Sequence, residues 1–140
     1  MRQIVNVKNI HLFQTFIRLC AGRIGQIFNA SSLANEIGVD YKTIQSWMSI
    51  LQASYIIFLL PPYYKNFNKR LVKSPKIYIR DSGMLHHILD IQNMDGLESH
   101  PILGHSWEGY VIEQIIANLD TQTDSFFYRT HEGAEIDLVL

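Results

Sequence analysis

From residue 9 to residue 51 the apolar positions recur with the period of a helix, and beyond residue 54 they gather into short strand-like runs. Leu12, Phe13, Phe16, Ile17 and Cys20 line one side of a predicted helix over Asn9 to Ala21, which the Gly22 to Gly25 region breaks. Leu33, Ala34 and Ile37 form a shorter stripe. Gly38 closes it, because a residue without Cβ tolerates the positive φ that ends a helix. Asp40 then stands where its carboxylate can accept from the free N–H groups of a following first turn, with Thr43 three residues on. In that next helix Ile44, Trp47, Met48 and Leu51 fall at i, i+3, i+4 and i+7, so one face turns inward. Lys42, Gln45, Ser46 and Ser49 are left on the other face. Ser31 to Leu51 therefore reads as a helix-turn-helix whose second helix carries hydrogen-bonding side chains of the length a major groove requires. An ordinary pair of packed helices is the plainer alternative.

Tyr55 to Leu60 is a dense β-branched and aromatic run stopped by Pro61 and Pro62, and it predicts a buried strand. After the turn-forming segment Pro61 to Arg70, the stretch Leu71 to Ile79 returns as a second strand with Ile77 and Ile79 on one face. Three helices and a hairpin predict a winged helix. Lys65, Lys69, Arg70, Lys73 and Lys76 load the wing with positive charge beside Tyr63, Tyr64 and Phe67, a composition suited to a phosphate backbone and to stacking. A solvated hairpin that covers an ATPase or another partner fits the same residues.

Asp81 or Ser82 can cap a short helix over Met84 to Leu89, in which the adjacent His86 and His87 point to different sides and cannot share a metal at i, i+4 spacing. Asp90 to Pro101 is acidic and irregular in pattern, and the domain boundary is placed there, between residues 1–92 and 93–140. A longer helix over His105 to Leu119 then carries Trp107, Val111, Ile112, Ile115, Ile116 and Leu119 in one broad stripe. Glu108 falls near the centre of that stripe and Glu113 on the far side. Two strands follow, Ser125 to Thr130 and Glu135 to Leu140, with Glu135 and Asp137 on one face and Ile136 and Leu138 on the other. An acid aimed at a core needs a cation, a metal or hydrogen-bond donors. Two partners fit Glu108. One is Arg129, the only Lys or Arg after residue 80, and that ion pair is the favoured reading. The other is a divalent cation held with the strand acids.

Composition narrows the classes. With 47% hydrophobic residues, charges of both signs and 140 residues, the chain is globular, and no apolar run approaches the length of a membrane span. No secretory signal opens it, and Cys20 alone makes neither a disulfide framework nor a cysteine metal site, so a bacterial-type cytoplasmic setting is expected. Cys20 reads as a small buried hydrophobe. The formal charge of -1 hides an asymmetry: residues 1–80 hold eleven Lys/Arg and two Asp/Glu, whereas residues 81–140 hold one and eleven. That split predicts either a basic half for nucleic acid beside an acidic half for a metal, or two halves that attract each other. The apolar strand at the end, after one hairpin only, predicts that the natural protein continues past Leu140 and that this chain is a fragment.

The runs LANEIGVDYKTIQSWMSIL, LLPPYYKNFNKRLVKSPKIYIRDSGML and GHSWEGYVIEQII…FFYRTHEGAEIDLVL resemble the C-terminal region of unknown function attached to bacterial and archaeal AAA-type P-loop ATPases. The resemblance runs in order and spacing from about Leu12 onward. It implies an α+β chain in which a winged helix-turn-helix domain is followed by a truncated restriction-endonuclease-like segment of PD-(D/E)xK type. In that pattern Glu108 stands at the helix acid and Asp137 at the first strand acid, with the remaining (D/E)xK pair on a strand that this chain lacks. It further implies an ATPase domain in the same full-length chain, with its own ATP and Mg²⁺. No Gly-Lys pair, hence no Walker A loop, occurs in these residues. The expectation is thus a non-catalytic accessory region of an ATPase. Its binding residues would be Lys42, Gln45, Ser46, Lys65, Lys69, Arg70 and Lys73, and its expected partners are duplex DNA, the ATPase domain and a second copy, with no membrane. A metal-dependent nuclease-like domain of the full-length protein, incomplete here, is the alternative.

Overall fold

A computed structural model of the chain describes residues 9–63, 74–130 and 132–140. It is a mixed α+β arrangement of six helices and two small antiparallel sheets among the described residues. The first three helices are α1 (Ile10–Ala21), α2 (Ala30–Ile37) and α3 (Tyr41–Ala53). Each begins at a polar cap: Asn9 accepts from Leu12 N, Asn29 from Ser32 N and Asp40 from Thr43 N, which satisfies an N–H that the helix itself leaves free. Gly38 ends α2 at φ +79°, the left-handed conformation expected of it. Phe16, Leu33, Ile44, Trp47 and Leu51 meet in the core between these helices, with Trp47 tilted against Phe16 at 5.4 Å. Each such side chain, fully buried, contributes about 1.5–3 kcal/mol.

The hairpin β1 (Ile57–Leu60) and β2 (Lys76–Ile79) pairs Ile57 with Ile79 and Leu60 with Lys76. Both of its faces are covered. Ile57, Ile77 and Ile79 close the helical core, while Phe58, Leu60 and Tyr78 belong to a second core with Ile112 and Phe127. Residues 25–28 add a third ladder on the outer edge of β2, through Gly25 N to Ile77 O at 2.8 Å, Ile77 N to Gln26 O at 3.3 Å and Phe28 N to Pro75 O at 2.8 Å. The sequence pattern did not predict that ladder, because its residues are too few to show a period. The first strand starts later than expected, since Tyr55 takes φ +57° where α3 ends and is exposed. Of the second predicted strand, residues 71–73 lie outside the described residues and the ladder begins at Lys76.

Three further helices follow: α4 (Ser82–Ile88), capped by Asp81; α5 (Met94–Glu98), capped by Asn93; and α6 (Leu103–Ala117). The stretch expected to be irregular thus contains α5, whose Leu97 reaches the helical core. The strands β3 (Phe126–Arg129) and β4 (Glu135–Val139) pair antiparallel with a register shift between Phe126 and Tyr128. β3 also joins the end of β1, through Phe127 N to Pro61 O and Tyr63 N to Phe127 O. The buried face of α6 differs from the predicted stripe: Gly109 and Ile112 face the hairpin, Ser106 is buried against His86 of α4, and Trp107 is 65% exposed. Apolar residues occur all round this helix, so periodicity does not choose its inner side. Small size does, because a Cβ at Gly109 would lie 3.0 Å from the Tyr78 ring.

Candidate functional site

Two places bring chemically capable side chains together. The first is the outer face of α3, where Lys42, Gln45, Ser46 and Ser49 are all exposed, as expected, with Ile44, Trp47, Met48 and Leu51 buried behind them. Gln45 donates to the Tyr41 hydroxyl at 2.8 Å, and the Ser49 hydroxyl donates to the Gln45 carbonyl at 2.9 Å. A cleft of about 590 Å³ opens beside this face, between Gln45 and Gln52 of α3, Asn29 and Ser31 at the start of α2, and Ser74 and Pro75 before β2. Lys65, Lys69, Arg70 and Lys73, with Tyr64 and Phe67, lie outside the described residues.

The second place corrects the reading of Lys76 as a wing cation. Period-two alternation in β2 sends Ile77 and Ile79 to the helical core and Lys76 and Tyr78 to the opposite face. There the Lys76 side chain is 2% exposed. Its ammonium lies 3.6 Å from Glu108 Oε1 and 3.2 Å from Asp137 Oδ1, and it also pairs with Glu135. The Phe127 ring closes another side, its centroid 5.3 Å from Nζ. Burial pulls the ammonium's pKa down, but Glu135, Glu108 and Asp137 outweigh it and hold the group above its ordinary value. The Tyr78 hydroxyl donates to Glu108, and burial followed by that contact pushes the phenol far up, so it stays neutral.

The Glu108 carboxylate is therefore largely buried, although the stripe it was placed in is not the inner face of α6, and its cation is Lys76 and not Arg129. Arg129 reaches Glu135 instead, at 3.7 Å. The sequence concealed this because Lys76 and Glu108 stand on distant elements, in halves of opposite charge. The alternation of Lys76-Ile77-Tyr78-Ile79 was the available signal. Glu113 also departs from expectation: its side chain is 17% exposed, and both its oxygens accept from the same Arg80 nitrogen, Nη1, at 2.8 and 3.1 Å.

The carboxylates of Glu108, Glu135 and Asp137 do not fit a divalent cation as they stand. They are arranged around an ammonium that already fills the space between them, and among the described residues no three His, Cys, Asp or Glu side chains are placed to share one ion. A second cation there would sit within a few ångströms of Nζ. His86 bonds Ser106 at 2.7 Å in a packing role. Cys20 is buried, and that burial pushes its thiol up to about 12, which leaves it unreactive near neutrality. Among the described residues no helix is long and apolar enough to cross a membrane.

Residues 1–95 match the model of a domain of unknown function, DUF8612, and residues 103–140 match that of a second, DUF4143. The uncharacterized proteins Rv2008c of Mycobacterium tuberculosis and Mb2031c of Mycobacterium bovis are each 40% identical over 114 residues, which is 81% of this chain. The chain spans about a quarter of the length of these curated relatives, 26% of each. No solved structure matches it. With the family model covering its first 95 residues, the chain belongs to the DUF8612 family, with a DUF4143 match over its last elements.

Proposed function

We propose that this chain is an accessory region of a AAA-type ATPase and that its first half is a winged helix that binds duplex DNA. The order of elements supports the winged-helix reading: α1, the ladder segment 25–28, α2, α3, then the hairpin, with that segment pairing on β2. The observation that carries the functional reading is the outer face of α3. Lys42, Gln45 and Ser46 are exposed, where they would meet base edges and phosphates, while the opposite face anchors the helix in the core. By sequence, Lys65, Lys69, Arg70 and Lys73 fall in the connection between the two hairpin strands, where a wing would contact backbone. The match to DUF4143 accords with a region attached to an ATPase; ATP and Mg²⁺ would belong to that other part of a longer protein. The nuclease-like alternative draws on Glu108 and Asp137 meeting in one place, but an ammonium stands between them.

Titration of a short duplex with the 140-residue chain at several salt concentrations tests the proposal. Binding should weaken steeply with salt, and Lys42→Ala should lower the slope of log K against log salt by about 1. Retention at low salt no better than that of a neutral protein of equal size overturns it.

A further inference from the structure

We infer that Lys76 is the resident cation of the Glu108, Glu135 and Asp137 cluster, so that in this chain the cluster is a metal-free clasp and not a divalent-metal centre. This inference stands independently of DNA binding. A PD-(D/E)xK pattern would assign Glu108 and Asp137 to a metal, and the contacts of Lys76 disagree with that assignment. Lys76 comes from β2, Glu108 from α6, and Glu135 and Asp137 from β4, so one ammonium ties three elements that are far apart along the chain.

The site is built for that charge. The Lys76 side chain is buried, the Phe127 ring covers one side of Nζ, and the ammonium donates to Asp137, pairs with Glu135 and lies 3.6 Å from Glu108. The Tyr78 hydroxyl donates to Glu108 Oε1, the oxygen that also faces Lys76, and His105 Nδ1 lies 3.4 Å from Oε2, so the acid is oriented without a metal. A divalent ion entering the cluster would have to expel the ammonium. The expelled group would be left buried without a partner, because its stem starts from a residue fixed inside a ladder with Leu60 on one side and Ile27 on the other. The clasp therefore fastens the hairpin, whose other face closes the helical core, to α6 and β4.

Manganese binding to the 140-residue chain, read from the loss of the free-ion EPR signal, tests this directly. The natural chain should take up Mn²⁺ no better than about 1 mM, the weak end of carboxylate sites, and its Tm should be the same in Mn²⁺ and in EDTA. Lys76→Met bares the carboxylates and should gain Mn²⁺ uptake of at least tenfold, with a Tm rise on adding the ion that Lys76→Met with Glu108→Gln loses. Tighter uptake by the natural chain that is lost in Glu108→Gln or Asp137→Asn overturns the inference. So does a folded Lys76→Met chain that ignores Mn²⁺. Should Lys76→Met not fold, the comparison of the natural chain with Glu108→Gln and Asp137→Asn still decides the question.

Discussion

The two faces of the β1–β2 hairpin are buried by different means. One face presents Ile57, Ile77 and Ile79 to the helical core, where shape and the exclusion of water do the stabilising. The other presents Lys76 and Tyr78 to α6, β3 and β4, where a charge is buried only because three acids meet it. The difference teaches that a strand four residues long can serve two unlike environments, provided its alternation keeps them apart. The apolar face tolerates approximate partners of the right volume, whereas the charged face depends on each partner being present.

Truncation on the apolar face should have the largest effect. Ile77 is fully buried, and Ile77→Ala leaves a cavity that should cost about 4 kcal/mol in denaturant unfolding. On the charged face, Lys76→Met should cost about 3 kcal/mol, since it strands Glu108, Glu135 and Asp137 beside one another; the value is toward the lower end because the Asp137 side chain is 55% exposed. The contribution of Lys76 has a definite pH window. Because its folded pKa lies above the ordinary 10.5, the stabilisation is complete below that pH and is lost as pH rises through the raised value. The stability gap between the natural chain and Lys76→Met should accordingly hold near neutrality and close in strong alkali.

A smaller effect separates the inner and outer faces of α6. Gly109→Ala places a Cβ 3.0 Å from the Tyr78 ring and should lose about 1 kcal/mol despite the gain in helix propensity. Gly104→Ala, in open space on the same helix, should gain about 0.5 kcal/mol. Equal effects at the two glycines would mean that α6 does not press on the hairpin as described. The smallest change concerns the exposed cap of α3. Hydrogen bonds from Thr43, side chain first and then backbone, hold the Asp40 carboxyl below its ordinary 3.8. Its stabilisation should be full above that pH and fade as pH falls through the depressed value; Asp40→Asn should keep the cap and remove that acid-side dependence, as melting curves at neutral and acid pH would reveal.

Much of the local structure was legible. The stripes of α1, α2 and α3, the cap Asp40 at its observed place, and Gly38 at positive φ all follow from side-chain spacing and backbone freedom. The cap Asn29 was not singled out from sequence. The inner face of α6 was not legible, because Trp107 and Ile112 are both apolar and only the close approach of Tyr78 to Gly109 chooses between their sides. For the candidate site, the outward Lys42, Gln45 and Ser46 followed from the positions of the buried residues of the same helix. The partner of Glu108 did not, since Arg129 stood in the same half and Lys76 in the other.

What the sequence determined alone was therefore most of the elements, α5 and the 25–28 ladder apart, and their inward faces where the period is unambiguous. Hydrophobic periodicity and capping act between residues a few positions apart, so they are written in local order. Only the tertiary structure decided that β2 carries two environments and that Lys76 meets Glu108, Glu135 and Asp137. Coulombic attraction has no period along the chain, and which opposite charges meet is settled by packing that brings distant segments together.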